Sequence, residues 1–151
     1  MKRLCLTVAL GAAALILSSL TPASAGPLPD LKPIAPRLLH GFVSVQNDSA
    51  VGAGASIATV KCVKVGHIGP GGGCPDLPPM PEYTDPAFPD AVAVHIPRIA
   101  PHHVYSVKLK FWPKVKWPKG SYTLTLTVDA GAAVAESNEG NNVDSAVLVS
   151  P

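Results

Sequence analysis

Six oxygen-bearing side chains crowd the C-terminal part of the sequence: Asp129, Glu136, Asn138, Glu139, Asn141 and Asn142. Carboxylate and amide oxygens are the ligands that hard cations take, and calcium accepts about six to eight of them at flexible geometry. The spacing is not that of an EF-hand loop, because Gly140 falls at the wrong offset. The same asparagines also suit a tight turn in which each side chain bonds its own nearby backbone. Two expectations therefore stand side by side, a turn motif built for structure and a calcium site carried on it.

Cysteine and histidine offer softer ligands. Cys62 and Cys74 form an even pair, with His67 between them. In an exported chain such a pair reads as a disulfide. With His67 it also offers thiolate and imidazole to zinc or copper, although Cys-x4-His-x6-Cys matches no standard site and supplies no fourth ligand. His95, His102 and His103 flank the turn expected between Pro97 and Pro101. Facing each other across adjacent strands, they would make a copper or zinc pair; otherwise they are loop histidines.

Five lysines fall within twelve positions, Lys108, Lys110, Lys114, Lys116 and Lys119, with Trp112 and Trp117 among them. Indole faces flanked by donors stack on sugar rings and engage anionic polymers. The plainer reading is a solvated strand edge whose lysines discourage edge pairing while a tryptophan caps the core. Catalytic patterns are missing: there is no Gly-x-Ser-x-Gly, no His-Glu-x-x-His and no Ser-x-x-Lys. A non-enzymatic role is expected.

These residues must be positioned by a small fold. The chain has 151 residues, 47% hydrophobic and 15% charged, which is too little for two independent cores and too apolar for a disordered chain. Its formal charge is +2, yet Lys2 and Arg3 lie in a leading segment; without them basic and acidic residues balance. A general electrostatic grip on nucleic acid is therefore not expected. Residues 1–25 read as a signal peptide. Met1, Lys2 and Arg3 are the basic end, Leu4 to Leu17 the apolar stretch, and Ala23, Ser24 and Ala25 the small-residue cleavage site after Pro22. A secreted or periplasmic location follows, with membrane contact only in transit.

Beyond Gly26 the chain reads as strands punctuated by proline and glycine. Tyr122, Leu124, Leu126 and Val128 alternate with Thr123, Thr125 and Thr127, the pattern of a half-buried strand. Residues 104–111 alternate too, with Tyr105, Val107, Leu109 and Phe111 on one face. Strands are also expected over 41–47, 55–65, 91–96 and 143–149, and an edge strand within 31–39, interrupted by Pro33 and Pro36. Residues 66–89 carry seven prolines and the run Gly71, Gly72, Gly73, so they form a long loop barred from any central ladder. The sum is an all-β, antiparallel sandwich of about seven strands, one domain over 26–151.

The stretch from Tyr122 to Asp129, followed by Val134 to Asn142 with its Glu136, Ser137, Asn138, Glu139 run, resembles the end of the cell-adhesion-related domain found in bacteria, CARDB. Asp30 and Leu31 resemble that family's opening strand, and Phe42 to Asn47 its apolar strand ending in Asn. The chain departs from the family's habit where His102 follows Pro101 in place of glycine, and in the length of the 66–89 loop. The resemblance implies an immunoglobulin-like fold used as a non-catalytic adhesion or accessory module, with a protein or polysaccharide partner outside the cytoplasm. The alternative from the residues alone is a small periplasmic copper- or zinc-handling protein. Mass spectrometry of exported protein should find Gly26 as the first residue; an intact Met1 would overturn the export expectation.

Overall fold

The computed structural model describes residues 26–69, 72–77 and 80–151. The expected signal peptide, 1–25, lies outside the described residues, as do Pro70, Gly71, Pro78 and Pro79 of the long loop. Seven strands follow in order: β1 (Leu31–Pro33), β2 (Phe42–Asn47), β3 (Ser56–Lys64), β4 (Val92–Ile96), β5 (Val104–Lys108), β6 (Gly120–Thr127) and β7 (Val143–Ser150). They form two antiparallel sheets, one ordered β1-β2-β5 and the other β4-β3-β6-β7. The fold is all-β, an immunoglobulin-like sandwich, and the only helical pieces among the described residues are short 3-10 turns.

Alternation of side chains builds the core. Tyr122, Leu124 and Leu126 of β6, and Val128 just beyond its end, are all buried, as the period of two requires. Leu124, Leu126 and Val128 share one core cluster with Val43 and Val45 of β2, Leu31 of β1, Ala58 of β3, and Val94 and Ile96 of β4. Burying each large aliphatic side chain stabilises the fold by about 1.5–3 kcal/mol. The outer face of the β6 sheet is less protected: Val63 of β3 and Val143, Val147 and Val149 of β7 are exposed, and β7 is an edge strand.

Three expectations need correction. Only Leu31–Pro33 of the segment 31–39 is a strand; Ala35–His40 is a 3-10 helix. Pro36 fits that helix's first turn, and the helical twist buries both Ala35 and Leu38, which strand alternation would have placed on opposite faces. The strand expected over 104–111 ends at Lys108. Leu109 and Phe111 are still buried, but from a turn leading into the short 3-10 helix Trp112–Lys114. Lys110, Lys114, Lys116 and Lys119 therefore sit on the β5–β6 connection and not on a strand edge. Third, β4 and β5 lie in different sheets, so the Pro97–Pro101 segment is a crossover and not a hairpin.

Two glycines are required by close approach. Gly41 ends the 3-10 helix at φ 75°, and a Cβ there would lie 2.4 Å from the Trp112 ring. Its N–H donates to Leu38 O at 2.8 Å, and its own carbonyl accepts from Leu109 N at 2.8 Å. Gly72 (φ 66°) sits where a Cβ would meet the Cys62 carbonyl at 3.0 Å. By contrast His102, where CARDB domains tend to carry glycine, holds φ 56° with a full side chain, a conformation costing about 1–2 kcal/mol.

The long loop returns to β3. Cys62 and Cys74 are joined in a disulfide with Cα atoms 6.1 Å apart, and Lys64 N donates to Gly72 O at 2.7 Å. No described residue of the loop enters a strand, in keeping with its prolines. With a sequence separation of 12, removing the bridge frees about 2–3 kcal/mol of unfolded-state entropy by the chain-entropy treatment. The double variant Cys62→Ser, Cys74→Ser should unfold at lower denaturant with that loss, and unchanged stability would mean the loop is held by its other contacts.

Candidate functional site

At the far end of β6 the chain turns through residues 128–142 before β7, and the oxygen-rich residues gather there. Asp129, at φ 44°, points both carboxylate oxygens back at the turn: Oδ1 accepts Ala133 N and Oδ2 accepts Val134 N, each at 3.0 Å. Glu136 turns inward. Its Oε2 accepts Leu31 N of β1 at 2.5 Å, across 105 residues of sequence, and its Oε1 accepts Asn142 Nδ2 at 3.1 Å. Glu139 accepts Glu136 N at 3.0 Å through Oε1 and Asn142 Nδ2 at 3.1 Å through Oε2. Asp129, Glu136 and Asn142 are buried and Glu139 is exposed. One carboxylate oxygen from each of the three acids lies within 4.8 Å of the others.

The asparagines divide the work differently from the expected local turn. Only Asn138 bonds its own backbone, its Oδ1 capping the 3-10 turn Glu139–Asn141 by accepting Gly140 N at 3.1 Å. Asn141 instead donates through Nδ2 to Asp30 Oδ1 at 2.8 Å, beside β1, and Asn142 donates to the two glutamates. Asn141 thus reaches a side chain beside β1, whereas Asn142 binds two side chains of its own turn. The Oδ1 atoms of Asn141 and Asn142, both buried, have no hydrogen-bond partner among the described residues.

Burial is the main force on Glu136: it disfavours the carboxylate and lifts its pKa above the ordinary glutamate value. Hydrogen bonds from Leu31 N and Asn142 pull the other way, and the charges of Glu139 and Asp129 add to the rise. Asp48 moves oppositely, held below its usual value chiefly by the hydrogen bond from Lys32 at 2.6 Å on the surface.

A second feature opens at the other end of β6. An open cleft of about 400 Å³ lies between Cys62, Cys74 and Leu77 on the loop side and Phe111, Trp112 and Trp117 on the β5–β6 connection, with Met80 and Tyr83 between them. Trp112 and Trp117 have ring centroids 5.3 Å apart, and Trp117 meets Tyr122 edge-on at 5.0 Å. Both indoles are half-buried against the core. Lys61 lines the cleft, while Lys108, Lys110, Lys114, Lys116 and Lys119 are exposed along the strand and connection beside it. Lys110 pairs with Glu82 of the loop at 3.2 Å.

The proposed soft-metal ligands are not assembled. Both sulfurs are committed to the disulfide, so the Cys62–His67–Cys74 segment has no thiolate to give. His95 is exposed on β4, while His102 and His103 precede β5 in the other sheet; Nδ1 of His103 donates to Pro101 O at 2.7 Å. These histidines do not face each other across adjacent strands. Among the described residues, Asp129, Glu136 and Glu139 are the one group of three acids, histidines or cysteines whose ligand atoms converge.

Leu77 and Met80 of the cleft were not singled out from the sequence. Their signal was there, apolar residues inside a proline-rich loop tied down at Cys74, but nothing local says which surface they cover. Asn47 was also undervalued: fully buried, it accepts Ser49 Oγ at 2.8 Å and donates to Val51 O at 2.7 Å and Ala100 O at 3.2 Å, fixing the β2 exit to the crossover.

The geometry defines an immunoglobulin-like domain with a polar junction at one end and an aromatic cleft at the other. The CARDB family model matches residues 83–146, which contain the Asp129–Asn142 stretch, so the resemblance drawn from the sequence is borne out. Among solved structures, the chain is similar to the CARDB domain of a Pyrococcus furiosus protein crystallised in complex with di-metal ions. The two share 16% identity at a TM-score of 0.47, over 83% of this chain and 96% of that one. No curated protein matches the chain.

The raised Glu136 pKa sets a pH dependence. The folded protein keeps that proton to a higher pH than the unfolded chain, so ionising Glu136 costs stability as pH rises through the folded value. Wild type should lose stability relative to Glu136→Gln, whose side chain cannot ionise, as pH rises from the ordinary glutamate value through the raised folded one. Asp48, present in both, cancels in the comparison. Parallel pH profiles from urea unfolding would contradict the assignment.

Proposed function

We propose that this protein is an exported, non-catalytic binding or adhesion module that holds a protein or polysaccharide partner at the aromatic cleft. The observation that carries this reading is the cleft itself: Trp112 and Trp117 are half-buried and 5.3 Å apart, Trp117 is braced by Tyr122, and an array of lysines flanks them. Braced indoles present a large rigid apolar face at little entropic cost, the property of interface anchors and of sugar-stacking platforms. The lysines would add reach to acidic groups on the partner and make binding salt-dependent. The disulfide-tethered loop would supply the facing wall, so that the partner meets a largely preformed surface. The CARDB match and the expected signal peptide support the same assignment.

The test is retention of purified protein on acidic and neutral polysaccharides and on envelope extract. Trp112 and Trp117 also pack on the core, so the variants Trp112→Ala, Trp117→Ala and the surface pair Lys114→Glu, Lys116→Glu should be checked for native circular dichroism. Folded tryptophan variants should lose retention at least tenfold, and the lysine variant should weaken it less and abolish its salt dependence. Equal retention by wild type and folded tryptophan variants would remove the cleft from the function.

A further inference from the structure

We infer that the free edge of β7 is a self-association surface: it pairs antiparallel with β7 of a second copy of this chain and joins two four-stranded sheets into one. This goes beyond the binding role proposed for the cleft and stands independently of it.

The first observation is a contrast among edges. One sheet ends on β1 and β5, the other on β4 and β7. An open edge invites pairing with another chain unless it is short or guarded by lysine or proline. β1 has three residues, among them Lys32 and Pro33; β4 has five and stops before Pro97; β5 has five and ends on Lys108. β7 runs for eight residues, Val143–Ser150, with neither lysine nor proline in it. Asp144, near its start, is its one charge.

The second observation is where that edge aims its hydrogen-bonding groups. Val128 N donates to Asn142 O at 2.8 Å, one step beyond the opposed pair Thr127 and Val143. Alternation along an antiparallel ladder then directs the main chain of Asp144, Ala146, Leu148 and Ser150 to β6. The bond from Val65 N to Ser121 O at 2.8 Å agrees, since it turns the other set of β6 residues toward β3. The main-chain groups of Val143, Ser145, Val147 and Val149 are left facing outward. Ser145 N donates to the neighbouring Asp144 Oδ1 at 2.8 Å, an exposed contact that the carbonyl of a second strand can replace.

The surface beside the edge is apolar. Val63, Val65, Val143, Val147 and Val149 are all exposed. Thr123 stands between Val63 and Val147, and Ser121 between Val65 and Val149, so two rows reach the free edge with a valine at each end. Exposed aliphatic side chains gathered in this way mark an interaction surface.

The strand is its own complement. With a two-fold axis at Ala146, Val143 faces Val149 of the second copy and Ser145 faces Val147, so all four outward residues are paired. Pro151, which lacks an N–H, lies outside this register. Asp144 falls opposite Leu148 of the second copy, so no like charges meet. Beyond the leading segment the chain's charges balance, and no long-range repulsion keeps two copies apart. The contact closes on itself and yields a dimer, not a filament. Its narrowness makes the dimer weak and concentration-dependent.

The experiment is sedimentation equilibrium of purified protein from micromolar to millimolar concentration. Wild type should approach twice the monomer mass, while Val147→Lys should stay monomeric. The Val147 side chain is exposed, so the variant's thermal midpoint at the lowest concentration should match wild type. Cysteine cross-linking under mild oxidation reads the register. Opposed residues of a non-hydrogen-bonded pair have Cα atoms about 4.5 Å apart, within disulfide reach. Ala146→Cys should therefore form a covalent dimer, and Val143→Cys, distant from its own counterpart, should not. Random collision would give the reverse order, because Val143 is 58% exposed and Ala146 only 9%. The inference is overturned by a wild type that stays monomeric throughout, even one whose β7 takes a strand from another protein. It is equally overturned if Val147→Lys dimerises like wild type, or if Val143→Cys cross-links as readily as Ala146→Cys.

Discussion

The Glu136 carboxylate accepts the Leu31 amide, 105 residues away, and so fastens the turn of one sheet to the opening strand of the other. β1 is only three residues long, and its ladder with β2 alone would leave it a weak edge. The Glu136 contact, the bond from Asn141 to Asp30 and the donation of Ser137 N to Pro29 O at 2.8 Å pin the same short strand from the C-terminal turn. A charged acceptor makes the bond stronger than a neutral one, and burial makes its loss more costly. The same burial raises the cost of keeping Glu136 ionised, so the junction gains orientation at the expense of electrostatic comfort.

β6 organises the rest. Its inward residues form the middle of the core, Trp117 and Tyr122 lie at its beginning, and Asp129 lies just beyond its end. The eight residues of β6, at about 3.3 Å each, span roughly 26 Å, with Trp117 before the strand's start and Asp129 beyond its end. The two features are therefore chemically independent in their immediate surroundings, while sharing one rigid element. A ligand at the cleft meets aromatic and basic groups; the other end offers only oxygen.

Strand positions were legible because burial on one face imposes a period of two, and β6 and β2 show it plainly in Leu124, Leu126, Val43 and Val45. The rule failed where a side chain reached the core from a turn. Leu109 and Phe111 kept the alternating pattern although the backbone had left the sheet, and Leu38 entered the core from a 3-10 helix. The oxygen-rich turn was legible as a cluster, and its family likeness too. Its partners were not, since Leu31 and Asp30 lie more than one hundred positions away and nothing local to Glu136 or Asn141 names them. The minor reading of a histidine pair across adjacent strands failed for a related reason: a turn and a sheet-to-sheet crossover look alike in sequence when proline begins and ends both, whereas His102 and His103 do lie outside the strands.

The placement of Trp112 and Trp117 has an optical consequence. They are the protein's two tryptophans, and they lie 5.3 Å apart at the cleft. Its indole emission therefore originates at a single location, within reach of the disulfide-tethered loop. Solvent reaching that spot would shift the whole spectrum to the red, while a shielding occupant would move it to the blue. The protein thus carries its own fluorescent gauge of whether the cleft is open or covered.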